Sequence, residues 1–202
     1  MMKKWLTAAV CSMMVAAPAG FALAQTTAPA TTPGTAATGA RADYDAAVKQ
    51  SDADYKAASA KCDGMKDNAK DVCKAEAKRD RDVAKAQAEA RRDGTQKSMA
   101  KAEKTKADRD YDVAKEMCDD KTGNDKDVCK KDAKAAHEKA LTAAKVDKAA
   151  ATGSRSDVAE ARADAKKDTM DAAYKADKER CDAMSGDSKD KCQADVKAKY
   201  GK

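Results

Sequence analysis

Large apolar side chains are the first thing this sequence is short of. Isoleucine does not occur, the single tryptophan and single phenylalanine (Trp5, Phe21) fall within the first 24 residues, and from Gln25 onward leucine occurs once, at Leu141. Eight Val, five Met and five Tyr bring the large apolar side chains to 19 in the 178 residues from Gln25. Leu, Ile, Val and Phe make up about 5% of that stretch, against the roughly 20% below which a chain usually builds no packed globule. Alanine, at 49 residues, supplies most of the 42% hydrophobic content. Such a chain has no material for the thick apolar wall of a deep enzyme pocket. Histidine is nearly missing too: His137 stands alone, which leaves little for a histidine-based metal site or a catalytic triad.

What is present begins with an address. Residues 1 to 24 carry Lys3 and Lys4, an apolar stretch from Trp5 to Ala17, and Ala22 and Ala24 before Gln25. Basic start, short apolar run and small residues at the exit are the pattern of a secretory signal peptide cleaved after Ala24. Cys11 raises the question of a lipid anchor, but Ala8-Ala9-Val10 lacks the branched residue expected three positions before a lipidated cysteine. No other stretch reaches the 18 or more apolar residues that span a membrane. Removing Lys3 and Lys4 leaves 39 basic and 35 acidic residues, a net charge of +4. The two signs interleave from Arg41 onward, which cancels the long-range field a nucleic-acid binder uses.

Residues 25 to 38 hold two of the three prolines and no charge, the composition of a flexible Thr/Ala/Pro linker. Beyond it the chain repeats. Tyr55, Cys62 and Cys73 recur as Tyr111, Cys118 and Cys129 and as Tyr174, Cys181 and Cys192, each with the spacing Tyr-x6-Cys-x10-Cys. An aspartate follows the first cysteine (Asp63, Asp119, Asp182), and Lys-Asp-x precedes the second (Lys70-Asp71, Lys126-Asp127, Lys189-Asp190). Glycine-containing stretches mark the joints, giving three units at residues 39–93, 94–152 and 153–202.

Alanine, lysine, arginine and glutamine favour helix. Acid-to-base pairs at i,i+4, such as Asp45/Lys49, Asp52/Lys56, Asp127/Lys131, Asp171/Lys175 and Asp195/Lys199, would add a few tenths of a kcal/mol each. Between the cysteines, Asn68, Asn124 and Asp187 have N-cap chemistry, with Asp71, Asp127 and Asp190 three residues on for a reciprocal cap. Gly64, Gly123 and Gly186 sit in the turn before them, where a positive φ costs glycine little. Each unit therefore reads as a helix, a short turn and a second helix. The fold class is all-α: three tandem helical hairpins, elongated or loosely packed. A narrow seam runs through Tyr55, Tyr111 and Tyr174 toward the first cysteine of each unit, extended by Val48 in the first.

Six cysteines in an exported chain, repeated at one spacing, predict bridges 62–73, 118–129 and 181–192, each closing its own hairpin. Zinc ligation prefers two to four residues between paired cysteines and commonly adds histidine. A redox enzyme would use Cys-x-x-Cys at a helix start. Neither pattern is present. Asp119, Asp120, Asp125 and Asp127 miss the calcium-loop register with its closing glutamate, so capping is their expected work. His137, between Ala135-Ala136 and Glu138-Lys139, reads as a solvated helix residue.

The run from Cys62-Asp63-Gly64-Met65 to Lys70-Asp71-Val72-Cys73 resembles that of uncharacterised exported helical proteins of Gram-negative bacteria, rich in Ala, Lys and Asp. Their composition is similar to the helical middle region of the envelope protein TolA. The hairpin with paired cysteines also resembles the twin Cys-x9-Cys proteins of mitochondria, with one pair per unit and ten intervening residues here. The first resemblance implies a helical exported protein and the second a stapled hairpin; neither carries a function over.

The sequence thus points to a non-enzymatic structural or interaction protein of the cell envelope, periplasmic or secreted. No catalytic, cofactor or metal residue stands out, and a possible envelope protein partner is left unidentified. Two other classes stay open: a hydrophilic stress protectant that orders when dried or bound, and a weak metal carrier using Met65, Met99, Met117, Met170 and Met184 or the aspartates.

Overall fold

A computed structural model describes residues 33–202, with side chains from residue 38. The predicted signal peptide and the tether up to residue 32 lie outside the described residues. Six helices follow one another: α1 (Pro33–Cys62), α2 (Asp67–Asp93), α3 (Gln96–Asp119), α4 (Gly123–Thr152), α5 (Arg155–Asp182) and α6 (Gly186–Tyr200). Pro33 opens α1, inside the segment read as linker, where its missing N–H has no helical partner to lose. The 30-residue helices α1 and α4 are about 45 Å long at 1.5 Å per residue.

Among the described residues each helix packs only on its predecessor and its successor. The chain forms three stapled hairpins, as the repeats require, but the unbridged pairs α2–α3 and α4–α5 are packed as fully as α1–α2 and α3–α4. The result is one continuous antiparallel zigzag. Its interior is thin because the buried positions are small: Ala77, Ala86, Ala88, Ala90, Ala102, Ala107, Ala144 and Ala176, with Val113 the one larger apolar residue besides cysteine. Ala86 and Ala90 of α2 meet Ala102 of α3 in a small cluster. Alanine lets backbones approach closely but removes little apolar area from water, at roughly 25 cal/mol per Å².

Two kinds of turn alternate. At α2–α3, Gly94 adopts a left-handed conformation (φ 61°) and Thr95 caps α3 by accepting from the Ser98 N–H at 3.1 Å. At α4–α5, Ser154 and Asp157 form a reciprocal capping box: Asp157 Oδ2 accepts from the Ser154 N–H at 2.7 Å, and Ser154 Oγ accepts from the Asp157 N–H at 3.3 Å.

The three bridged turns are built differently, and here the expected caps are corrected. The N-cap positions are Lys66, Thr122 and Ser185, all extended and none with a side-chain cap bond. Asn68, Asn124 and Asp187 lie two residues further on, at the second helical position. Asp71, Asp127 and Asp190 are exposed inside the helices. The physical reason is the residue that opens each helix: Asp67, Gly123 and Gly186 hold φ of 49°, 53° and 58°, so the chain has already turned before Asn68, Asn124 and Asp187 are reached. Gly64 is not part of that device; its place in the repeat is taken by Asp67.

The expected i,i+4 pairs are corrected as well. None of the five closes, and in four of them one member reaches outside its own helix instead: Asp52 to Lys85 at 2.6 Å, Lys131 to Glu179 at 3.7 Å, Asp171 to Lys202 at 2.7 Å and Lys199 to Asp177 at 2.8 Å.

Candidate functional site at the stapled turns

The repeated residues converge at the three bridged turns. Cys62–Cys73, Cys118–Cys129 and Cys181–Cys192 are joined, each with Cα atoms 5.6 Å apart. The first cysteine sits in the last turn of the incoming helix and the second at the seventh residue of the outgoing one. Cys62, Cys118 and Cys181 are the most enclosed side chains of the structure, at 0%, 1% and 0% exposure. The carbonyl of that first cysteine accepts the N–H three residues on, from Met65 at 3.0 Å, Lys121 at 3.1 Å and Met184 at 3.0 Å. One turn geometry is used three times.

The aspartate after the first cysteine now has a role. Asp63 lies 3.6 Å from Lys70 and 3.2 Å from Lys74. Asp119 lies 2.9 Å from Lys126 and 3.1 Å from Lys130. Asp182 lies 2.9 Å from Lys189 and takes a hydrogen bond from Gln193 at 3.2 Å. Each carboxylate thus clamps the residues three before and one after the second cysteine, locking the turn beside its bridge. The hydrogen bonds and charge of Lys74, then of Lys70, hold Asp63 below the usual carboxylate range. Lys126 and Lys130 do this for Asp119, and Lys189 for Asp182. The spacing Cys-Asp…Lys-Asp-x-Cys was visible in the repeats, but the clamp needs the antiparallel register to be seen.

Tyr55, Tyr111 and Tyr174 do lie along the incoming helices facing the partner helix, but they are half-buried, not sealed in a seam. Each meets the residue eight positions after the second cysteine. Arg81 stacks its guanidinium over Tyr55 at 4.3 Å. His137 stacks on Tyr111 at 4.7 Å with planes 13° apart. Tyr200 meets Tyr174 edge-on at 5.8 Å. One structural position is therefore filled by a cation, an imidazole and a phenol, all of which satisfy an aromatic face. Tyr44 repeats the first arrangement one layer further, under Arg92 at 4.2 Å.

His137 is thus corrected from a solvated residue to a half-buried one. Its Nε2 is hydrogen-bonded to Asp108 Oδ1 across the α3–α4 interface at 2.9 Å. Burial raises the affinity of Asp108 for a proton, and the hydrogen bonds of Lys104 and His137 outweigh it, leaving the carboxyl below its usual range. In the third hairpin Asp177 gathers Lys199 at 2.8 Å, the Tyr200 hydroxyl at 2.7 Å, and Arg180. Burial and the bond to Asp177 push Tyr200 up. These groups are paired with one another, and among the described residues the imidazole's hydrogen bond is that with Asp108.

An open groove runs beside two of the bridges, at equivalent positions. In hairpin two it measures 530 Å³ and is walled by Ala114, Met117, Val128, Ala133 and Ala136 around Cys118 and Cys129. In hairpin three it measures 460 Å³ and has Met184, Val196, Lys191 and Lys199 around Cys192. The hairpin-two groove also has Lys121, Asp125 and Asp132 in its lining, and the hairpin-three groove includes Asp177, whose charge is taken up by Lys199, Tyr200 and Arg180. Among the described residues no three His, Cys, Asp or Glu come together as a metal site, and no helix is long and apolar enough to cross a membrane. Compared with protein-family models, curated proteins and solved structures, the chain matches none of them.

Proposed function

We propose that this chain is a non-enzymatic structural protein of the periplasm, a stapled helical scaffold or spacer of the cell envelope. The observation that carries the reading is the alliance of three identical sulfur bridges with an interior made of alanine. Formed disulfides fit an oxidising, non-cytoplasmic compartment, and the signal-peptide pattern at residues 1–24 supports export from the sequence side. Helices that touch only their chain neighbours span distance without enclosing a substrate. Ion pairs such as Asp82–Arg109 at 2.8 Å and Glu89–Lys101 at 2.7 Å tie α2 to α3 where apolar contact is thin.

The test expresses the full chain in a Gram-negative host, releases the periplasm osmotically and maps the peptides without reduction. Expected are release with periplasmic markers, a first residue at Gln25 and bridges 62–73, 118–129 and 181–192. Retention in the cytoplasm with free thiols would refute the compartment. A compact globular scattering profile of the released protein would refute the spacer. Weak helicity in dilute buffer with the bridges intact would move the assignment to the stress-protectant class.

A further inference from the structure

Methionine is ordinarily among the residues most often buried. Here all five methionines among the described residues are on the surface: Met65 is 44% exposed, Met99 42%, Met117 49%, Met170 38% and Met184 46%. None belongs to the buried set, whose work is done by alanine and cysteine. The six cysteines in the described chain are already paired, so the thioethers are its most readily oxidised groups.

Sulfoxide formation normally damages a protein because it places a polar oxygen in a packed interior. In this fold each methionine is 38–49% exposed, Met117 and Met184 lining the open grooves beside their bridges, so the added oxygen has water to face and displaces no buried alanine or cysteine. Three of the five sites flank the staples: Met65 and Met184 occupy the same place, three residues after the first cysteine, and Met117 precedes Cys118.

We propose that Met65, Met99, Met117, Met170 and Met184 form a reversible modification surface that accepts oxygen atoms from hydroperoxides while the zigzag stays folded. In each step a sulfur lone pair attacks the terminal oxygen of the hydroperoxide. The S–O bond forms as the O–O bond breaks. Sulfur is oxidised by two electrons, and the departing oxygen, reduced by the same two, takes up the peroxide proton and leaves as water or an alcohol. A methionine sulfoxide reductase, drawing two electrons from a thiol donor, reverses the change.

The test treats the exported, bridge-intact protein with hydrogen peroxide and follows each methionine by peptide mapping beside N-acetylmethionine amide. All five should gain one oxygen at rates within about threefold of the free amide, as susceptibility follows exposure. Helicity and melting should not change, and sulfoxide reductases should restore the original masses. A variant with all five changed to leucine (M65L, M99L, M117L, M170L, M184L) should take up no oxygen in the same peptides. A methionine still unmodified when the amide is fully converted, melting that falls in step with uptake, or resistance to the reductases would each overturn the proposal.

Discussion

Replacing Gly123 with alanine isolates a single term of this protein's stability. Gly123 and Gly186 open α4 and α6 with φ of 53° and 58°, and a Cβ built at either position meets nothing within 4 Å. The substitution therefore adds no collision. It asks an L-residue to hold the left-handed region, at about 1–2 kcal/mol, and returns about 0.5–1 kcal/mol by removing glycine's freedom from the unfolded chain. The net expectation for G123A or G186A is a loss of up to about 1.5 kcal/mol, centred at about 0.75 kcal/mol. For a chain of this size each kcal/mol corresponds to roughly 2–4 °C in Tm, so circular dichroism melts with the bridges intact resolve it. The first hairpin supplies the reciprocal case. Asp67 holds the same conformation at φ 49°, and aspartate tolerates it better than most residues. D67G should then be neutral to slightly stabilising, within about 0.5 kcal/mol. If G123A left melting unchanged while D67G lowered it, the positive-φ account of these turns would be wrong.

Serine at both Cys181 and Cys192 should cost about 2.8 kcal/mol by the chain-entropy model for an 11-residue loop. Amide exchange should then accelerate across the short α6, whereas C118S/C129S leaves α4 protected because α5 still packs on it. Gly153 is extended rather than left-handed, but its Cβ would lie 2.8 Å from the Ala149 carbonyl oxygen and 2.9 Å from Asp157 Cβ. G153A should therefore disturb the α4–α5 turn by collision, and S154A should lose about 1 kcal/mol with the capping box; urea titrations of both check this. Asp63, Asp119, Asp177 and Asp182 all have folded pKa values lowered from 3.8. Their contribution is complete above that unfolded value and is lost as pH falls through the lower folded ones, so Tm should be level from about pH 7 to 5 and drop below about pH 4. A fall beginning near pH 6 would contradict the assignment.

How far the sequence could be read depended on the range of the interaction. Helix content, the three hairpins and their bridges follow from composition and spacing, because one Cys-x10-Cys spacing recurs in every unit and makes closure within each hairpin the economical choice among fifteen pairings. The starts of α2, α4 and α6 were misplaced by two residues, since cap preferences at Asn68 and Asn124 carry no information about the left-handed residue before them. The tyrosine partners escaped because Arg81, His137 and Tyr200 share no chemistry class; only their common offset from the second cysteine gives them away. The i,i+4 pairs failed for a related reason: Asp52, Lys131 and Lys199 each have a partner within reach on an adjacent helix that a one-helix reading cannot count. The stacking of hairpins through α2–α3 and α4–α5 had no periodic apolar signal to announce it, because alanine fills both the packed and the solvated faces.

Each bridge joins cysteines that are consecutive along the chain. A polypeptide threaded through a translocon N-terminus first would deliver Cys73 as the next thiol after Cys62, close that pair, and only then present Cys118. Order of arrival and native connectivity coincide, so oxidative maturation would need an oxidant but no isomerase to undo mispairing.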